Sequence, residues 1–483
     1  MGPVQRLTLL LLTLFALILF AGCGGSSTSD PPAAPLSASN VNLIFVVSED
    51  IAYQDAGDVN LDTANLTNRG LQRVLAMGTF LQQQVLGGEN VTSIYALEPT
   101  THLQTANSYP DMVGLETIQQ FAMLNQTTQQ PQGYTPVTAN SYPLFSSYTA
   151  ASVPQDVVPQ LPLCAACQGL DFKDQQGDNE ALVSSVIQAN APGFYVFSAP
   201  WETISTLLAN VNSSQGYGLK LPASYAGPDY VYALAISPSG KASLVTYNAN
   251  LNPAASYPAL PAGEIVSAAC KQTFSIQVTG GVGSAVIPAG TNTNETVYLI
   301  RHAEAHPAPY FEDGNYVGAG QWRALDLPNA LKDKIRPDEI YSIDPAVGNA
   351  STVGNYPSSY VRPALTVEPY AIANSLPFKL ATSLAVFDQN APDLATNASN
   401  FFFTGGTFSN KTLLVAWEHD HIPPTVNALL STYHGGQTAP NWSGNDYDSI
   451  WTVKLDAQGN LTIDDALCEG IDSSKLPSTP PQF

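Results

Sequence analysis

Val297-Tyr-Leu-Ile-Arg-His-Ala-Glu304 is the stretch on which the fold turns. Val297 to Ile300 are an unbroken apolar run, and such runs suit strands buried on both faces of an α/β sheet. Arg301 and His302 stand where that strand ends, at the carboxyl edge where open α/β sheets place their ligand crevices. Immediately upstream, Thr279 to Glu295 (TGGVGSAVIPAGTNTNE) is broken by Gly, Asn and Thr and marks a boundary. Gly280-Gly-Val-Gly283 within it has no Walker lysine and no following helix pattern, so it reads as linker rather than phosphate loop.

Further out, the chain echoes itself. Asn42-Leu-Ile-Phe-Val-Val47 matches the run at Thr296 to Arg301, and Gly70-Leu-Gln-Arg-Val-Leu matches Gly320-Gln-Trp-Arg-Ala-Leu. Ser93-Ile-Tyr-Ala-Leu-Glu-Pro99 matches Glu339-Ile-Tyr-Ser-Ile-Asp-Pro345, and Tyr232 to Gly240 matches Trp451 to Gly459. Four echoes in one order predict a duplicated architecture. The 483 residues also exceed what one core of roughly 250 to 300 residues organises. The expected division is 1–23 leader, 24–40 linker, 41–277 first domain and 290–483 second domain.

Charge narrows the partners. With 17 Lys+Arg against 39 Asp+Glu, the net charge of −22 repels polyanions and argues against a nucleic-acid partner. A small phosphorylated ligand is compatible with it, because a few converging arginines set the field inside a pocket. Met1 to Arg6 carries a positive charge, Leu7 to Phe20 is an apolar run of about fourteen residues that suits a signal-peptide core, and Ala21-Gly22-Cys23 follows. That ending resembles the lipobox of bacterial lipoproteins. The resemblance implies lipidation at Cys23 and a chain anchored to the membrane of a bacterial cell envelope. Gly24 to Asn40 reads as a flexible tether. Cys164, Cys167, Cys270 and Cys468 remain, an even number for which an oxidising compartment makes disulfides the default, with three pairings open.

In the second half, the Arg301-His302 strand end is followed by a helix opened at Gly320, the strand Glu339 to Ile343, and Arg362-Pro-Ala-Leu-Thr366. The apolar run Thr412 to Trp417 then leads into Glu418-His-Asp-His421. This series resembles the histidine phosphatase superfamily, and His419-Asp420 is similar to the His-Asp pair of its acid-phosphatase and phytase branch. The resemblance implies two tandem three-layer α/β/α domains, each with a mostly parallel central sheet, the second one a phosphomonoesterase that needs no cofactor and no metal. Arg301 and Arg362 would clamp the phosphoryl oxygens, His302 would attack phosphorus, and His419 would donate to the same oxygens. Asp420 is the first candidate for proton donor, ahead of Glu418, Glu304 and Asp344, and His421 is the alternative to His419.

In the first half, Val47-Ser48 stands where Arg301-His302 stands, and Thr101 precedes Thr105 by the spacing of Arg362 and Thr366. The strand Phe194 to Ser198 leads into Ala199-Pro-Trp-Glu without a second histidine. His102 reads as a surface or groove residue and the half as a degenerate partner. Two other function classes remain. One is a non-catalytic surface binding lipoprotein. The other is a metal-dependent hydrolase using His302, His306, His419, His421 and Asp420, although Pro307 interrupts the helix that an i, i+4 chelate needs.

Overall fold

The first apolar run forms strand β1 (Val41–Ser48), buried at every position. It joins a five-stranded sheet with β2 (Ser93–Ala96), β3 (Gly193–Pro200), β4 (Tyr230–Ile236) and β5 (Ala242–Asn248), in the order β2-β3-β1-β4-β5. β2, β3 and β1 are parallel, β4 is antiparallel to β1, and β5 is antiparallel to β4. All but β4 therefore share one direction. The computed structural model describes residues 33–129, 136–147, 168–306, 313–347, 358–381, 384 and 392–483.

A second sheet is built from β6 (Ser275–Val278), β7 (Glu295–Arg301), β8 (Glu339–Ser342), β9 (Phe378–Leu380), β10 (Thr412–Trp417), β11 (Ser449–Leu455) and β12 (Leu461–Cys468). Its order is β6-β12-β11-β7-β10-β8-β9. The five strands β8-β10-β7-β11-β12 have the order and pairing senses of β2-β3-β1-β4-β5. Each echoed strand segment occupies the same place in its own sheet.

Helices cover both faces because strand side chains alternate. Val41, Leu43, Phe45 and Val47 cluster with Leu182 and Val183 of α3 (Asp178–Ala189) and Ile204, Leu207 and Leu208 of α4 (Trp201–Ser214). Ile44 and Val46 alternate to the opposite face, toward α1 (Asn68–Phe80) and α2 (Val113–Leu124), of which α2 packs on β1 to β3. In the second sheet α5 (Gly318–Leu331) packs on α6 (Arg362–Asn374), which lies against β8 and β10. The other face clusters Val297 and Leu299 with Phe402 and Phe403 of α7 (Pro392–Phe403) and Val426 and Leu429 of α8 (Ile422–Thr432). Each such fully buried aliphatic side chain contributes about 1.5–3 kcal/mol relative to exposure.

The echoed Gly-x-x-Arg has a structural reason. A Cβ on Gly70 would collide with the Asp58 carbonyl, and one on Gly320 would come within 2.7 Å of the Glu304 carbonyl. Both helices thereby approach the segment that follows the central strand of their sheet, β1 or β7. Three residues on, each arginine is buried among acids: Arg73 with Asp58 and Asp229, and Arg323 with Glu304 and Glu469.

The two sheets belong to one compact unit, Ala34–Phe483. Leu71, Val74 and Leu75 of α1 share a core with Leu325 of α5 and Ile372 of α6, and Gln120 bonds Gln321 at 2.6 Å. The chain enters the second sheet at Ser275, ahead of the boundary expected at 277, because β6 pairs with β12. The expected tether is also shorter at its end. Leu36 is buried, its amide donates to Val85, and the Ala34 carbonyl accepts from Tyr247, so the chain is packed from Ala34 onward. Cys270 is disulfide-bonded to Cys468, which settles one pairing. Cys164 and Cys167, like Cys23, residues 24–32 and Pro307, lie outside the described residues.

Candidate active site

β7 ends at Arg301, and the His302 amide then donates to the Trp417 carbonyl at 3.0 Å, continuing the pairing with β10 by one residue. That register sets Glu418 opposite His302. Glu418 Oε1 lies 3.3 Å from His302 Nε2 and 3.4 Å from Arg362 Nη2, and its Oε2 lies 3.4 Å from His419 Nδ1. His302, Arg362 and His419 are thus gathered around one carboxylate, which also feels the charge of Arg301.

Each cation is held from behind. The Arg301 guanidinium lies 3.9 Å over the Tyr447 ring and donates to the Gly444 carbonyl at 2.6 Å. Arg362 opens α6, with Pro363 in the first turn where a missing N–H costs nothing, and its Nε donates to the Tyr360 hydroxyl at 3.2 Å. Thr366 explains the four-residue spacing. Its hydroxyl donates to the Arg362 carbonyl at 2.7 Å and accepts from the Ala303 amide at 2.9 Å, fastening the start of α6 to the loop beyond His302.

The imidazole of His302 is almost fully buried. Its Nδ1 lies 2.7 Å from the Ala303 carbonyl, which can only accept, so Nδ1 carries the hydrogen. Burial lowers the pKa of His302 to about 4, with Arg362 and Arg301 adding to burial and Glu418 opposing it. At neutral pH the ring is therefore uncharged and its lone pair is on Nε2, the nitrogen beside Glu418. Burial also opposes ionisation of Glu418, but His302, itself protonated at the low pH where this carboxyl titrates, outweighs it together with His419 and Arg301 and holds the carboxyl well below its usual range.

The remaining sequence candidates fall elsewhere. Asp420 is the more exposed acid, 3.4 Å from His419 Nε2, and Glu418 rather than Asp420 is the acid against His302. Glu304 is committed to Arg323, with both oxygens bonded to Nε at 2.9 and 3.0 Å, and Asp344 Oδ1 accepts from the Ala346 amide. His421 turns to the Trp417 ring at 5.1 Å, and neither ring nitrogen makes a hydrogen bond. His306 lies 3.6 Å from Asp313 Oδ2. Among the described residues, the three-ligand group that could hold a metal is none of these but Asp50, His102 and Asp111.

No family model and no curated protein matches the chain. Solved structures do, each over roughly a third of it. The protein histidine phosphatase SixA complexed with tungstate is 18% identical, covering 36% of this chain and 97% of its own, with a TM-score of 0.23. A mycobacterial glucosyl-3-phosphoglycerate phosphatase is 12% identical, covering 36% and 97%, with a TM-score of 0.24. A phosphoglycerate mutase from Plasmodium falciparum is 14% identical, covering 36% and 89%, with a TM-score of 0.22.

In the first sheet the counterpart of Arg362 is not Thr101. Thr101 ends a 3-10 turn after β2, whereas α2, which occupies the place of α6, begins at Val113. Thr117 Oγ1 donates to the Val113 carbonyl at 2.7 Å, as Thr366 does to Arg362. An intervening turn and a short hairpin, Leu103–Gln104 with Tyr109–Pro110, had displaced the alignment. Of the two readings of His102, surface or groove, the groove holds: it is half-buried and bonded to Asp50. Tyr360, Tyr447 and Gly444 were missed altogether. They carry no local pattern, and Gly444 reaches Arg301 from 143 residues away.

Proposed function

We propose that this chain is an exported phosphomonoester hydrolase working through a phosphohistidine on His302. On this reading the first half is a degenerate copy of the second, and Cys23 carries a lipid anchor in a bacterial envelope. The observation that carries the reading is His302 itself: a neutral imidazole, its Nδ1–H tied to the Ala303 carbonyl, with Nε2 beside the Glu418 carboxylate that Arg362 also contacts and within the field of Arg301. The Cys270–Cys468 disulfide supports an oxidising compartment, and the matching strand orders support the duplication.

In the first step the Nε2 lone pair forms the N–P bond while the bond to the ester oxygen breaks, with the arginines neutralising the equatorial oxygens. The leaving oxygen takes a proton from a nearby carboxyl. Asp420 stands at the open side beside His419, and Glu418 gains a proton as the incoming phosphate displaces it and adds negative charge beside it. Water, giving up a proton to the carboxylate left by the first step, then attacks phosphorus, breaks the N–P bond and releases inorganic phosphate, restoring neutral His302. His419 contributes a donor to the phosphoryl oxygens.

One observation favours a second reading, that of a binding protein: the Glu418 carboxylate already sits among the cations. The test is turnover of p-nitrophenyl phosphate by the full mature chain and by His302→Ala, with alkaline denaturing quench of the reacting enzyme. Hydrolysis and an acid-labile phosphate on wild type, both absent from His302→Ala, are expected. Turnover undiminished in His302→Ala would refute the nucleophile, and an inactive wild type would favour the binding reading.

A further inference from the structure

The carboxyl end of β1 corresponds to the carboxyl end of β7, yet the side chains gathered there carry the opposite charge. Asp50 follows β1 by two residues, His102 follows the 3-10 turn after β2, and Asp111 precedes α2. One ligand atom of each lies within 4.8 Å of the others. His102 Nε2 is 2.6 Å from Asp50 Oδ2 and 3.9 Å from Asp111 Oδ2. We propose that Asp50, His102 and Asp111 form a binding site for a divalent first-row transition metal ion, zinc foremost, separate from the His302 pocket.

Asp111 points to a ligand most directly. It is fully buried, and its Oδ2, aimed into the cluster, has no hydrogen-bond partner. A buried acceptor left in that state is costly, more so when charged. Charge balance points the same way. Among the described residues no Lys or Arg pairs with Asp50 or Asp111, and burial pushes the Asp111 carboxyl up to about 7, so both carboxylates stay ionised together only with a cation beside them. A dication supplies the missing charge.

The donors are also preoriented. Each aspartate spends one oxygen on a backbone amide and turns the other inward: Asp50 Oδ1 accepts from Ala52 at 2.6 Å, and Asp111 Oδ1 accepts from Val113 at 3.1 Å. Such anchoring contacts orient metal ligands. The His102 ring lies flat on Phe172, with centroids 3.5 Å apart and planes 11° apart, which fixes the direction of Nε2. Its side chain is 16% exposed, leaving one side open to solvent.

One imidazole and two carboxylates suit zinc with three protein ligands and a water. Zinc bonds of 2.0–2.2 Å put tetrahedral donors about 3.3 Å apart. The Asp50–His102 pair would open from 2.6 Å and Asp111 would close from 3.9 Å, each a movement of less than about 1 Å. The loss of both arginine positions, to Val47 and Val113, removes the charges that would repel the ion.

The test is titration of the chelator-stripped full chain with zinc by calorimetry and with Co(II) by visible absorption, on wild type, Asp111→Asn, His102→Gln and His419→Ala. A single saturable site with Kd below about 10 μM is expected. Asp111→Asn and His102→Gln should each weaken it at least about tenfold, a loss of roughly 1.4 kcal/mol. His419→Ala should bind as wild type does. Zinc should raise the melting temperature of wild type but not of Asp111→Asn, whose isosteric amide keeps the shape of the site. His102→Gln, at the open edge, serves if Asp111→Asn does not fold. No saturable binding by wild type below about 100 μM, or binding lost in His419→Ala and kept in the other two, would overturn the proposal.

Discussion

Glu418→Gln isolates the carboxylate that lies where a phosphoryl group in line with His302 would enter. Glu418 Oε1 is 3.3 Å from Nε2, and an attacking nitrogen stands roughly 3–3.5 Å from phosphorus, so carboxylate and bound anion come within about 5 Å. At an effective dielectric near 20, two unit charges at that distance repel by about 3 kcal/mol, or roughly 10²-fold in affinity. The isosteric amide should therefore tighten competitive inhibition by sulfate about 10²-fold near pH 7. Sulfate keeps its charge across the working range, so pH reports on the protein. The Glu418 pKa is depressed in the free site, and a bound anion raises it, so binding takes up a proton. Wild-type affinity should accordingly rise as pH falls from about 7 toward the ordinary carboxylate value of about 4.3, with a shallower slope in Glu418→Gln. Stability has its own sign. A depressed carboxyl stabilises the fold above its unfolded pKa and loses that contribution as pH falls through the folded value, so Glu418→Gln should melt lower at pH 7 while binding anions better. Sulfate inhibition unchanged or weakened in Glu418→Gln would refute the reasoning.

Arg362→Ala should lower kcat/KM on the order of 10²-fold or more, and Arg362→Lys should recover little, because an ammonium lacks the planar fork. Since Arg362 is buried at the start of α6 rather than in a free loop, melting curves must accompany the kinetics, and near wild-type turnover would remove it from the site. Arg323→Met leaves Glu304 and Glu469 buried without their cation and should cost about 3–5 kcal/mol in denaturant unfolding, whereas a loss within about 0.5 kcal/mol would contradict a structural role.

Features confined to one segment were legible in the residues alone. Apolar runs report burial on both faces of a strand, so Asn42 to Val47 and Val297 to Ile300 could be read directly. The spacing of Gly70 to Arg73 and of Gly320 to Arg323 is helical, hence visible in the chain. What joins distant segments was decided by the tertiary structure. Parallel register between β7 and β10, not any motif, sets Glu418 rather than Asp420 against His302. A turn and hairpin after β2 move the counterpart of Arg362 from Thr101 to Val113. Asp50, His102 and Asp111 come from three separate segments with no common period, and only folding brings their donors together. Local pattern records which face a side chain takes. Strand register and loop path determine what it meets there.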